Sequence, residues 1–374
     1  EFMLESSGMF GIDDYITNLK TKSLYRSLKN SDCDYENYID FSSNDYLGLS
    51  HNENSLAAGY EAAKIYGTGS TGSRLLSGNK KIFEQFEEQI SADKKLESAL
   101  IFNSGFIANA NVISAFSIPE SVLIFDKLNH ASMYYGIDAT KTKLLRYKHL
   151  DYDELESILQ KNVECRNKVI ASETVFGMDG DVADLEKLIF LAQKYEALLF
   201  LDEAHATGLY GKNGCGISTN FNLDHDSTIV MGTFSKALAS SGAYVACSGK
   251  IKEYLLQKSK GFIYSTALSP FCIGVAQYNW NLLKTDEVRA TAQRVIKLAD
   301  KLRHKVGGTG SNTNIVPIKF DSIEEMLSVH DICLKNKIRT SAVRPPTSPV
   351  AKIRLAINAF HTERDLEVVQ AMLI

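Results

Sequence analysis

Leu198-Leu199-Phe200-Leu201-Asp202-Glu203-Ala204-His205 is four apolar residues followed at once by two acids and a histidine. A run this short fits a strand buried on both faces, and the acids mark where it leaves the core. Similar runs recur on either side: Ala99 to Phe102, Val122 to Phe125, Val169 to Ser172, Thr228 to Met231, Ala243 to Ser248 and Phe262 to Tyr264. Stretches of helical period lie between them, such as Tyr152 to Gln160 and Leu185 to Tyr195, where Leu185, Leu188, Ile189 and Ala192 share one face. The alternation predicts an α/β fold, a mostly parallel sheet with helices on both faces. Beyond about Phe271 the pattern changes to a long helical run through Lys301, a strand over Thr313 to Phe320 and a helix over Ile323 to Asn336. A smaller C-terminal α+β domain is expected there. The expected divisions are an N-terminal segment over 1–47, a large domain over 48–270 and a small one over 271–374. Glu1 to Phe10 are set aside as partly non-native, with the native start expected at Met3 or Met9.

The 374 residues carry 41 Lys and Arg against 45 Asp and Glu, a formal charge of -4 that offers no field to gather a polyanion. No nucleic-acid or membrane partner is expected; small molecules are. Cys33, Cys165, Cys215, Cys247, Cys272 and Cys333 form no CxxC pair and no metal-like spacing, so they read as reduced, mostly buried thiols of a cytoplasmic protein. No apolar run approaches the roughly 18 residues of a membrane span, and no signal-peptide pattern opens the chain. No metal is expected.

In parallel sheets ligands gather at the carboxyl ends of the strands, so the residues that leave each strand matter most. Asn103-Ser104-Gly105-Phe106 follows a strand and opens the apolar stretch Ile107 to Phe116, which places free N–H groups at a helix start, where phosphate binds. Standing alone, the same residues read more readily as a Ser-Gly turn and helix cap. Asp202 and His205 leave the strand quoted above; a buried carboxylate there wants a cation, such as a protonated ring nitrogen, unless it only caps the next helix. In Thr228-Ile229-Val230-Met231-Gly232-Thr233-Phe234-Ser235-Lys236, a lysine leaves a buried strand between hydroxyls. Desolvation makes it a candidate Schiff-base nucleophile, against the plain reading of a lysine pointing to water. A phosphate cradle, an acid for a pyridinium and an amine for an aldehyde are together the three handles of pyridoxal phosphate.

From about Ile39 onward the chain resembles the alpha-oxoamine synthases, a family of fold-type I pyridoxal-phosphate enzymes. The motifs are Phe41-Ser42-Ser43-Asn44-Asp45-Tyr46-Leu47-Gly48-Leu49, the glycine-rich loop Gly67 to Gly78, Asn129-His130-Ala131-Ser132, Met178-Asp179-Gly180-Asp181, Asp202-Glu203-Ala204-His205, Thr233-Phe234-Ser235-Lys236, Tyr264-Ser265-Thr266 and Arg344-Pro345-Pro346-Thr347. The resemblance implies that the large domain binds the cofactor and that Lys236 forms the imine with it, then moves protons at the substrate alpha carbon. It implies that Asp202 keeps the pyridine nitrogen protonated, His205 bonds the phenolic oxygen and His130 stacks on the ring. Ser104, Gly105, Phe106 and Thr233 are expected to hold the phosphate, with Thr266 reaching in from the other subunit of a homodimer. Asn44 and Arg354 are expected to clamp the amino-acid carboxylate, for which a guanidinium offers a two-pronged match. His130 as an ordinary core histidine, Asn44 as a turn residue and Arg354 as a surface ion-pair partner are the plain alternatives.

The implied reaction is a decarboxylating condensation of L-alanine with a pimeloyl thioester, of coenzyme A or an acyl carrier protein, as in the biotin-synthesis branch. The nearest alternative keeps the cofactor and takes glycine with acetyl, succinyl or a longer acyl thioester, as a 2-amino-3-ketobutyrate ligase does. A nucleotide-binding oxidoreductase using Gly67 to Gly78 as its phosphate loop lacks the preceding strand and the acidic residue that motif needs. A non-catalytic binding protein on the same scaffold is opposed by the intact Lys236, Asp202 and His205. The chain departs from the family's pattern at Gly177, where a serine is usual before Met178, and His205 is the expected compensation. Phe83 stands where a histidine is common, a position that reads as structural. Leu19 to Asn30 matches poorly, and the role of Arg344, at the acyl chain's end or bracing the loop, stays open.

Overall fold

The computed structural model describes residues 11–28, 37–138 and 142–373. Cys33 and the opening residues Glu1 to Phe10 lie outside them. Twelve strands run in chain order among the described residues: β1 Ile39–Asp40, β2 Ser98–Phe102, β3 Ser121–Asp126, β4 Lys143–Tyr147, β5 Asn167–Glu173, β6 Leu198–Asp202, β7 Thr228–Thr233, β8 Ala243–Cys247, β9 Ile315–Lys319, β10 Ile338–Arg339, β11 Ser341–Val343 and β12 Lys352–Ala356. Seven of them form the main sheet in the order β2-β8-β7-β6-β5-β3-β4, with β8 antiparallel to both neighbours and every other pair parallel.

All six residues of β3 and of β7 are buried, as a sheet covered on both faces requires. Alternate residues feed different cores: Leu199 and Leu201 pack with Ile101 and Ile124 on one face, Phe200 with Phe102, Leu123 and Phe125 on the other. The expected strands are present, with two differences. Phe262 to Tyr264 is not a strand; Lys260–Ile263 is a helical turn that follows the helix Gly249–Lys258. Only Phe262 of that trio is buried, edge-on to Phe102, while the N–H groups of Phe262 and Ile263 return to the Ser259 carbonyl. The other difference is β4, whose Lys-Leu-Leu-Arg-Tyr sequence is too charged to read as a core strand; it is the half-exposed edge beside β3.

The expected single helix from Phe271 to Lys301 is two, Pro270–Leu282 and Asp286–Val306. Thr285 breaks the run by capping the second helix through its hydroxyl, with Asp286 and Glu287 in the favoured first turn. Cores interleave around the expected divisions at 48 and 271. Ile273, Ala276, Trp280 and Ala292 belong to the core of the large sheet, whereas Val295, Leu298 and Leu302 pack with β9, β12 and Phe41 in a separate C-terminal core. That core lies over the three-stranded sheet β11-β12-β9. Residues 39–46 run along it: β1 pairs with β10, Phe41 O accepts from Ala356 N and Tyr46 O from Ala359 N. The N-terminal motif is thereby laid beside β12, which carries Arg354.

Candidate active site

Five strands end at one edge of the sheet, and the side chains that leave them line a cavity of about 210 Å³. Ser104 follows β2 and caps the helix Gly105–Phe116 by accepting from Ile107 N at 3.2 Å. The N–H groups of the first turn have no carbonyl four residues back, so Gly105 and Phe106 present donors to the cavity. A Cβ built on Gly105 would stand 3.6 Å from Thr233, the last residue of β7 across the gap, so the cradle between them is open. His130, after β3, is exposed at the cavity rim and its Nδ1 lies 2.7 Å from Ser132 Oγ.

Asp202 and Glu173 stand at the ends of β6 and β5, directly paired in register. Asp202 accepts from Asn109 Nδ2 at 2.7 Å and from Ala204 N at 2.8 Å, and among the described residues it makes no ion pair. Glu173 accepts from Gly177 N at 3.2 Å. Burial, reinforced by the Asp202 charge, pushes the Glu173 carboxyl up to about 8. Two acids this close share the cost of charge unequally.

Lys236 completes the ring of side chains. It is half-buried and lines the cavity, its amine 2.7 Å from His205 Nε2. Burial lowers the amine to about 8 against the pull of Asp202 and Glu173, with Arg354 lowering it further. His205 is held well below its ordinary value by burial and by the Lys236 and Arg354 charges, so its ring is neutral. Its Nδ1 lies 2.7 Å from the Tyr46 hydroxyl. Arg354 donates from Nε to Gly177 O at 2.6 Å and from Nη2 to Asn44 Oδ1 at 3.0 Å and Tyr46 OH at 3.3 Å. Only 3% of Arg354 is exposed, so it is not a surface partner for an acid.

The loop after β5 fastens the C-terminal sheet to this edge. Asp179 pairs with Lys352 and Gly180 O accepts from Thr313 Oγ1 at 2.8 Å, while Asp181 anchors the loop to the main sheet through His149 Nε2 at 3.1 Å. Met178-Asp179-Gly180-Asp181 is therefore a strap. At Gly177 an added Cβ would fall 2.1 Å from His205 Nε2, so the histidine ring occupies the space a serine would need. Phe83 is a buried core ring under the Arg74 guanidinium. Arg344 reaches Tyr25 O at 3.0 Å, tying the N-terminal stretch to its own loop. Thr266 does not line the cavity of its own chain; it forms a bridge with Ser73 and its carbonyl accepts from Asn103 Nδ2 at 2.8 Å. The Gly67 to Gly78 loop joins the helices Glu53–Tyr66 and Lys81–Lys94 with no strand before it, against its use as a nucleotide loop.

Sequence reading brings Ser104, Gly105, Phe106, His130, Asp202, His205, Thr233 and Lys236 to one cavity, with Asn44 and Arg354 joined behind His205. It misses Glu173 and Asn109. Glu173 ends an apolar run just as Asp202 does, which was the available signal; Asn109 is a polar residue on an otherwise apolar buried helix face. Pyridoxal phosphate fits this donor set: open N–H groups for phosphate, a carboxylate lacking a cation, and a buried Asn109 Oδ1 with no hydrogen-bond partner among the described residues. A cavity of about 450 Å³ lies at the opposite edge of the sheet; Arg166, Glu196, Asp224 and Asp226 sit at its solvent rim, and its one buried charge, Lys168, is spent on the Val163 and Cys165 carbonyls.

The family model for aminotransferase class I and II matches residues 36–373. A Geobacillus kaustophilus protein described as "Putative 8-amino-7-oxononanoate synthase" is 37% identical over 338 residues, covering 88% of this chain and 86% of its own. The crystal structure of 8-amino-7-oxononanoate synthase from Francisella tularensis superposes with a TM-score of 0.78 at 28% identity, covering 90% of this chain and 97% of that one. A structure of SPT with PLP internal aldimine reaches 0.87 over 99% and 97% of the two chains at 23% identity, a likeness of fold. With the motif ring assembled at the carboxyl edge of this sheet and these matches spanning nearly all of it, the chain belongs to the aminotransferase class I and II family.

Proposed function

We propose that the chain is an 8-amino-7-oxononanoate synthase, an enzyme that condenses L-alanine with a pimeloyl thioester and releases carbon dioxide and the free thiol. The observation that carries the reading is Lys236: a half-buried amine brought down to about 8, facing a cavity walled by Asp202, His205 and His130. An amine in that range is available as a nucleophile near neutral pH.

Bound pyridoxal phosphate supplies the electron sink that makes loss of the alanine alpha proton, and later of carbon dioxide, feasible. The chain's residues do the rest. Ser104, Gly105, Phe106 and Thr233 receive the phosphate at the helix start. Asp202, fixed by Asn109 and Ala204, meets the ring nitrogen and holds its proton. His130 covers the ring face and His205 meets the phenolic oxygen. Asn44 and Arg354 take the amino-acid carboxylate, and Lys236 moves the proton at the alpha carbon. Thr266 serves the neighbouring copy in a homodimer, and the enzyme works in the cytoplasm; among the described residues no helix is long and apolar enough to cross a membrane.

Mass spectrometry of products from alanine or glycine paired with pimeloyl and shorter thioesters, on coenzyme A and on carrier protein, tests the reading. The expected product is 8-amino-7-oxononanoate from alanine. A ketone formed only from glycine moves the chain to the glycine branch, and no ketone from any pairing removes the reading.

A further inference from the structure

His149 stands between two carboxylates and lines no part of the cofactor cavity. It follows β4 and is half-buried. Its Nδ1 lies 3.0 Å from Asp126 Oδ1 and 3.1 Å from Oδ2, and its Nε2 lies 3.1 Å from Asp181 Oδ2. A carboxylate only accepts, so each ring nitrogen must donate, and an imidazole that donates from both carries a positive charge. Asp126 also accepts from Leu128 N at 2.8 Å and Leu150 N at 2.9 Å, so both its oxygens face donors. Burial lowers the imidazole, but the bonds and charges of Asp126 and Asp181 outweigh burial and raise it to about 9. The Phe176 ring stands against it at 85°, 4.5 Å between centroids.

Each carboxylate belongs to a loop that serves the site. Asp126 ends β3 and starts the loop of His130, where its carbonyl accepts from Asn129 N at 3.2 Å and Asn129 Nδ2 donates to Ala171 O at 2.8 Å. Asp181 belongs to the loop after β5, where its carbonyl accepts from Phe176 N at 2.9 Å and the next residue, Gly177, gives its own carbonyl to Arg354. We propose that His149 is a positioning residue of this site: as an imidazolium it clasps the loop after β3 to the loop after β5, and so holds the seat of Arg354 in register with His130. The inference rests on the reading of Arg354 as the partner of the amino-acid carboxylate. An uncharged ring would serve one carboxylate and leave two like charges facing each other across it. Asp126, His149 and Asp181 all stand outside the cavity, so the clasp does not depend on the cofactor. The other titratable groups around Asp126 are Tyr147 on β4, Tyr134 and Tyr152 on the helices Ala131–Asp138 and Tyr152–Lys161, and Glu173 at the end of β5, while Asp179 in the strap is paired with Lys352. Burial pushes Tyr134 and Tyr152 up to about 12 and Tyr147 well above its ordinary value, so the phenols keep their protons where His149 loses its own.

A pH titration of 15N-histidine-labelled protein reads the charge directly, in apoprotein and holoenzyme alike. His149, assigned through its own backbone amide, is expected to be doubly protonated at neutral pH and to lose a proton near pH 9. Asp181→Asn, which keeps an accepting oxygen and removes the charge, should lower that midpoint by about 1 to 3 pH units. His149→Gln has one donating nitrogen for two carboxylates. It should raise the amino-acid KM about fivefold, the size expected for one weakened hydrogen bond, and leave the thioester KM where it was. Since the folded value of about 9 exceeds the ordinary 6.5, the parent's advantage over His149→Gln in urea melts is full below pH 6.5 and lost as pH rises through 9. A neutral His149 at neutral pH, an unmoved midpoint in Asp181→Asn or an unchanged amino-acid KM in His149→Gln overturns the proposal. The titrations need neither substrate nor the glutamine variant, and KM is read with alanine and with glycine, so a wrong product assignment leaves these outcomes intact.

Discussion

Lys94 and Lys236 sit on either side of the strand β6, and the protein shifts their amines in opposite directions. Lys94 lies on the far side of β6 from the cavity, its ammonium against the Glu203 carboxylate and over the Tyr244 ring. Burial works against its charge, but Glu203 outweighs burial and holds the amine above its ordinary range. Glu203 is itself satisfied by Ser218, from N at 2.7 Å and from Oγ at 2.9 Å. Lys236 has Asp202 and Glu173 nearby but no direct ion pair, and burial wins. Asp202 ends β6 and Glu203 is the residue after it, and the two carboxylates turn to opposite sides, toward Lys236 and Lys94. Direct contact makes a structural cation; near approach without contact leaves a reactive amine.

Removing each amine breaks the contrast at a different place. Lys236→Ala is expected to cut ketone formation on the order of 10⁴-fold or more, while denaturant melts show no loss of stability, since burying that amine opposes folding. Lys94→Met should do the reverse. An uncompensated Glu203 costs about 3 to 5 kcal/mol, read from the urea midpoint, with turnover of the folded fraction retained. Equal stability for Lys94→Met and its parent would end the comparison.

Gly177→Ala sharpens it from the His205 side. A methyl group thrust against Nε2 displaces the ring from Lys236, at an overpacking cost of about 1 to 3 kcal/mol, and turnover is expected to fall about tenfold. Glu173 gives a pH signature. Its carboxyl is near 8 in the fold against about 4.5 unfolded, so between those values the folded chain holds the extra proton and stability falls as pH rises. Glu173→Gln removes that fall. The variant should gain on the parent at up to roughly 1.4 kcal/mol per pH unit from pH 5 to pH 8, and equal slopes in urea melts would refute it. Lys236 has the other sign: with its amine near 8 rather than 10.5, the parent recovers stability as pH rises from 8 toward 10.5. The smallest effect belongs to a solvent-exposed pair, Lys194 with Glu156 at 2.6 Å; Glu156→Gln should leave the urea midpoint unmoved.

Most of the main sheet was legible because its strands are buried on both faces and read as unbroken apolar runs. Legibility failed where that condition lapsed. Phe262 to Tyr264 is apolar but buries one residue of three, so turning served it better than extension. β4 is an edge with charges at exposed positions. The site followed the same rule: Asp202, His205 and Lys236 stood out as polar residues leaving apolar strands. Tyr46 did not, because a buried tyrosine in an apolar neighbourhood looks like core until its hydroxyl is traced. Glu203 was quoted beside Asp202 with no hint of which acid faced which lysine, since that depends on Lys94, distant in sequence.

The pairing of β1 with β10, and of Phe41 with β12, has a consequence for synthesis. Asn44 and Arg354, partners at 3.0 Å, are separated by 310 positions along the chain. A nascent polypeptide whose large sheet has already condensed on the ribosome still exposes Phe41 and leaves Asn44 without Arg354 until β12 emerges. The contact between Asn44 and Arg354 can therefore form only after β12 has been made, and chaperones would meet an early segment waiting for its late partner.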